Sequence, residues 1–150
     1  CIRDRVIEYN CRFGDPETQV VLPLLETDIM DIIEAVWEEK LDTLDIKWSD
    51  KSCACVVMAS GGYPEKYETG KVISGLDENG QCEGAFVYHA GTKLEDGKFL
   101  TAGGRVLGIT AYGDTLKEAL DTAYKAVDTI SFEKAHYRHD IGKKALPALK

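Results

Sequence analysis

The sequence predicts an α+β fold, and three observations lead to it. Apolar residues keep a helical spacing before residue 40 and change to strand-like runs after residue 52. Short β-branched runs then recur around natural turn pairs, Asn79-Gly80 and Asp96-Gly97. After the last run, Thr115-Leu116-Lys117-Glu118 makes a capping box for a closing helix. The order is a strand and a helix, then several short strands, then a helix: a small sheet or barrel with a helix packed on it.

The elements follow in chain order. Residues 5–10 read as a short strand that turns at Gly14, and residues 16–23 mix apolar and polar side chains. Thr27 or Asp28 can cap a helix whose apolar residues Ile29, Ile32, Ile33, Val36 and Trp37 share one face, ending near Lys40. The polar stretch 41–51 reads as the passage to a second unit, with Trp48 as an anchor. Strands are expected at 53–59, 71–75, 85–89, 98–101 and 105–111. The closing helix places Leu116, Ala119, Leu120, Ala123, Val127 and Ile130 on one face, before a tail rich in His, Tyr and Arg.

Bulk properties bound the function. One hundred and fifty residues at 44% hydrophobic suffice for one domain with a core and a fragment of a second. A net charge of -8 disfavours nucleic-acid backbones and anionic membranes as partners. No apolar run approaches the roughly 20 residues that cross a bilayer. The five cysteines are odd in number and form no CxxC pair, so they read as packed thiols in a reducing, cytoplasmic setting. A start at Cys1 on a strand-like pattern reads as a piece of a longer protein.

The chemistry concentrates in VIEYNCRFGDPETQ, Val6 to Gln19. Glu8 and Asn10 alternate with apolar residues, so both oxygen-bearing side chains share one strand face. They suit magnesium, which takes one or two hard protein ligands and fills its other positions with water and phosphate; they equally suit an edge facing water. Arg12 is a planar fork of donors for phosphate or carboxylate. Asp15-Pro16-Glu17 reads as a helix start, with Asp15 as cap, and such a start beside an arginine is also where anions settle. The Gly-Gly pairs at 61–62 and 103–104 read as turns or bulges, with Arg105 the candidate for reaching a phosphate. His89 reads as a hydrogen-bonded, partly buried strand residue, and His136 and His139 as part of a solvated or docking tail.

The string VIEYNCRFGDPETQVVLPLL resembles the end of the ATP-grasp domain in the phosphoribosylamine–glycine ligase family, also called glycinamide ribonucleotide synthetases. The resemblance continues in the family's order through MASGGYP, HAGT, GGRVLGITA and FEKAHYRHDIG, over nearly the whole chain. It implies that residues 1–48 end an ATP-grasp domain and that 49–150 form a small β-rich C-terminal domain with a packed helix. The chain would be roughly the last third of the enzyme, without the upstream ATP-binding lysines and glycine-rich loop, and inactive alone. The implied reaction joins glycine to 5-phosphoribosylamine in purine biosynthesis: ATP phosphorylates the glycine carboxylate, and the amine attacks the glycyl phosphate. By the same resemblance Glu8 and Asn10 are ligands to Mg2+ or Mn2+. Arg12 and Asp15 face the reacting groups, and Glu17, Gln19 and Arg105 join them in binding substrate. Two other readings are a different ATP-grasp carboxylate–amine ligase, against which the full RFGDPET string argues, and a non-catalytic packing module.

Overall fold

The structure is a computed structural model that describes residue 6 and residues 9–149. Helices α1 (Thr18–Val21) and α2 (Ile29–Trp37) come first. They are followed by β1 (Ser52–Ala59), β2 (Phe86–His89), β3 (Thr92–Glu95), β4 (Lys98–Thr101), β5 (Arg105–Gly113) and α3 (Leu116–Val127). An antiparallel sheet has the order β1-β5-β2, and β3-β4 is a separate hairpin. That hairpin turns on Asp96 and Gly97, both at positive φ (50° and 72°), as a tight two-residue loop between right-twisted strands requires.

The central strand β5 has two different faces. Leu107, Ile109 and Ala111 stand opposite Met58, Val56 and Ala54 of β1. All six are buried, and α3 covers them with Ala119, Ala123, Ala126 and Val127. Three alanines on that helix let its axis approach the sheet closely. The expected capping box fixes its start: the Thr115 hydroxyl accepts from the Glu118 N–H, and the Glu118 carboxylate accepts from the Thr115 N–H. The other face of β5 carries Gly108, Thr110 and Tyr112, opposite Val57, Cys55 and Cys53.

A register shift between Met58 and Ala59 divides the upper end of this sheet. Met58 pairs with Leu107, but Ala59 pairs with Arg105, so Val106 is the extra residue of a bulge. Side chains alternate along a strand, so Arg105 would otherwise share the core face with Leu107. The bulge sends Val106 into the core, where it is 0% exposed, and turns Arg105 to the opposite face.

Four expectations need correction. Residues 71–75 form no ladder of their own: Val72 bridges to Leu100 and Ser74 to Ser131, so the segment divides its hydrogen bonds between two neighbours. Helix α2 is capped by Asp28, as expected, but stops at Trp37 rather than near Lys40. There Glu39 turns left-handed at φ 57°, and the N–H groups of Glu39 and Lys40 return to Val36 and Ala35, a Schellman ending. Trp48 is half exposed and bridges to Leu25 through its backbone, so it is not a buried anchor. Of the expected strand at 5–10, Val6, Tyr9 and Asn10 have no regular structure, with Val6 and Tyr9 exposed instead of paired. The other positions of that strand, Glu8 included, lie outside the described residues.

Candidate active site at the opening segment

The segment from Asn10 to Pro23 runs onto the face of β5 that α3 leaves uncovered, with Asp15, Gln19 and Pro23 bonded to that strand. At its start Asn10 Oδ1 accepts from the Arg12 N–H at 3.2 Å. The Arg12 side chain reaches only the Phe13 carbonyl, at 3.4 Å, and makes no ion pair among the described residues. Gly14 is buried, and a Cβ there would meet only the far end of the exposed Glu17 side chain, which can swing aside. Thr18 closes a turn by donating its N–H to the Gly14 carbonyl at 3.0 Å.

Asp15 is not the helix cap that its sequence suggests. Glu17 occupies the cap position of α1, without a side-chain bond, and the Asp15-Pro16 peptide is cis. The Asp15 carboxylate is engaged elsewhere. Oδ1 accepts from Gln19 Nε2 at 2.9 Å, and Oδ2 lies 3.0 Å from a terminal nitrogen of Arg105. The other terminal nitrogen of Arg105 donates to the Asp15 carbonyl at 3.0 Å. Arg105, expected to reach a phosphate, thus directs both ends of its fork at one residue. The structure brings Asp15, Gln19 and Arg105 together, and the nearby Arg12 guanidinium has no ion pair among the described residues; Glu17 is exposed next to them.

A cleft of about 630 Å³ opens beside this group, with Phe13, Asp15 and Gln19 on one wall and Tyr88, His89 and Tyr112 on the other. Burial pushes the phenols of Tyr88 and Tyr112 up, with the Cys53 thiol adding in the same direction, so both remain hydrogen-bond donors at neutral pH. His89 is exposed but held. Its Nε2 lies 2.9 Å from the Gly80 carbonyl, which can only accept, so that nitrogen carries the proton. Nδ1 lies 2.8 Å from the Thr92 hydroxyl and accepts from it in the neutral ring. Cys53 and Cys55 lie on this face of β1 as free thiols. Burial, and then the neighbouring Cys55, push the Cys53 thiol up to about 11; burial also raises Cys55. Neither is a nucleophile at neutral pH.

The paired glycines serve packing. A Cβ on Gly61 would strike Lys134, one on Gly104 would enter the Tyr63 ring, and Gly91 and Gly103 bring their backbones together. His136 joins a backbone bridge with Ala59, and the His139 ring packs against Tyr137 at a 51° tilt with centroids 4.6 Å apart. Among the described residues no three His, Cys, Asp or Glu side chains gather to hold a metal. Thr110, Tyr88, Tyr112 and Gly108 belong to the site and went unread in the sequence, because their place depends on which face of β5 they occupy.

Residues 53–144 match the family described as phosphoribosylglycinamide synthetase, C domain. This chain belongs to that family. A phosphoribosylamine–glycine ligase from Caldanaerobacter subterraneus is 55% identical over 137 residues, 91% of this chain and 32% of the relative. A bifunctional purine biosynthetic protein from Dictyostelium discoideum is 51% identical over 142 residues, 94% of this chain and 17% of the relative. The crystal structure of the Thermotoga maritima phosphoribosylamine–glycine ligase superposes with a TM-score of 0.70 at 35% identity, over 90% of this chain and 32% of that one. The chain therefore spans about a third of the length of the single-function relatives that it matches. Mixed strands and helices, arranged as in that C-terminal region, agree with the expected α+β class.

Proposed function

We propose that the chain is the C-terminal part of an ATP-dependent ligase that joins glycine to 5-phosphoribosylamine in purine biosynthesis, with release of ADP and phosphate. The observation that carries this is the attachment of Asp15 and Gln19, from the opening string, to Arg105 and Thr110 on β5 of the family domain, at the edge of a cleft. In this reading residues 1–48 close an ATP-grasp domain and the upstream remainder of the protein supplies the nucleotide-binding residues. The setting is cytoplasmic, with small-molecule substrates and no nucleic acid or membrane. Among the described residues no helix is long and apolar enough to cross a membrane.

The reaction has two displacements. A glycine carboxylate oxygen attacks the γ-phosphorus of ATP and ADP leaves; the amine nitrogen then attacks the glycyl carbonyl, phosphate leaves, and the nitrogen loses a proton. Both steps crowd anions, so positive charge and positioning carry the catalysis. The Arg12 guanidinium, without an ion pair among the described residues, supplies charge for the acyl phosphate. Asp15, aimed by Arg105 and Gln19, orients the amine, so Arg105 acts through Asp15; Glu17 lines the neighbouring pocket with Pro16 and Val20 and would have to turn toward the cleft to join in binding substrate.

Asn10 is exposed, and among the described residues its amide oxygen has only a local bond from the Arg12 N–H, so it fits a hard cation as one of two protein ligands, with Glu8 as the other. Bound there, Mg2+ or Mn2+ would neutralise the nucleotide phosphates. In a protein extended upstream, Glu8→Gln and Asn10→Ala should abolish metal-dependent turnover with little change in melting temperature. Turnover that persists in both variants would contradict the assignment.

A further inference from the structure

Pro23 removes a hydrogen-bond donor from the opening segment, and Thr110 replaces it. In a continuing helix the Gln19 carbonyl would accept from the N–H four residues on, but that residue is Pro23, which has none. The carbonyl accepts from the Thr110 hydroxyl at 3.1 Å, across 91 residues of sequence. Thr110 is 0% exposed and sits in the middle of central strand β5. One turn earlier the Asp15 carbonyl accepts from Arg105; one turn later the Pro23 carbonyl lies 3.4 Å from the Tyr112 hydroxyl, a looser contact. The acceptors therefore recur every four residues along one side of the segment, and their donors project from one face of one strand. Gly108 lies between them, where a Cβ would stand 4.0 Å from Gln19 Cγ and 3.3 Å from Cys55 Sγ.

We propose that Thr110 is a positioning residue: its hydroxyl fixes the Gln19 main chain to β5 and so holds Asp15 and Gln19 at the cleft. The hydrophobic core lies on the opposite face of the sheet, so what this buried hydroxyl secures is the segment rather than the domain. The proposal rests on the ligase reading for its effect on turnover, and on the geometry alone for its effect on the segment.

The experiment uses the protein extended upstream, with steady-state ADP release and amide hydrogen exchange measured on the same samples. Thr110→Val keeps the shape and removes the donor; Thr110→Ser keeps the donor. The expected result is that Thr110→Val lowers kcat about tenfold and speeds exchange at residues 17–22, while α3 exchanges as in the parent. Thr110→Ser should stay within about twofold of the parent on both. Pro23→Ala gives the Gln19 carbonyl a local donor and should shrink the effect of Thr110→Val. The proposal is overturned if Thr110→Val leaves both readouts at parental values. It is equally overturned if exchange rises throughout α3, or if Thr110→Ser fails as Thr110→Val does. A parent with no glycine-dependent ADP release would instead contradict the ligase reading, and exchange at 17–22 would still decide the role of Thr110.

Discussion

The Asp15 carboxylate and the Arg105 guanidinium lie 3.0 Å apart, although 90 residues separate them, and a bulge at Val106 brings them to the same face of the sheet. Both side chains are over a third exposed, at 38% for Arg105 and 50% for Asp15. Solvent screening then limits the pair to at most about 1 kcal/mol of stability. Arg105→Lys keeps the charge but loses the fork that grips carboxylate and carbonyl together. It should shift the unfolding free energy by less than about 1 kcal/mol yet lower kcat in the upstream-extended protein by on the order of tenfold. Urea titration beside steady-state kinetics would separate the two effects.

Gly104 is a packing requirement. A Cβ there would stand 2.2 Å from the Tyr63 ring, whose edge also meets Tyr67. Gly104→Ala should cost about 1–3 kcal/mol, the range for overpacking a well-filled site. A urea midpoint equal to that of the parent would show that Tyr63 moves freely and that the loop is not closely packed.

The capping box of α3 should be worth a measurable share of stability. Thr115→Ala removes the side-chain acceptor for the Glu118 N–H and should cost about 1 kcal/mol, whereas Thr115→Ser should cost little. Chemical denaturation of the three proteins side by side gives the answer.

What the sequence disclosed was local. The Thr115–Glu118 box, the Asp28 cap and the Asp96-Gly97 turn each depend on a few neighbouring residues, and all three stand in the structure. The bulge at Val106 could not be read, because it arises only when β5 pairs with a strand some fifty residues away. For the same reason Arg105 was expected to face a phosphate, and Asp15 to cap a helix: each was read without the other. The one long-range feature with a local trace is the Thr110 contact, since Pro23 already announces that the Gln19 carbonyl lacks a helical partner.

Alkaline conditions should loosen the sheet. The Cys53 thiol is pushed from 9.0 up to about 11, chiefly by burial, so the folded chain holds a proton that the unfolded chain releases near pH 9. Below pH 9 the folded and unfolded forms are equally protonated there and this contribution to stability is complete. It is lost progressively as pH rises from about 9 through 11. Burial moves Cys55, Tyr88 and Tyr112 in the same direction. Urea midpoints taken between pH 8 and 10.5 should fall with pH in the parent and fall less steeply in Cys53→Ala.

The most direct measurement is ADP release in the presence of ATP, glycine, phosphoribosylamine and magnesium, comparing this 150-residue chain with a version extended upstream. The proposed function predicts release only from the extended protein and only when both glycine and phosphoribosylamine are present. A folded extended protein that releases no ADP in response to the two substrates would contradict it, and Asp15, Gln19 and Arg105 would then be a packing contact between two parts of the chain.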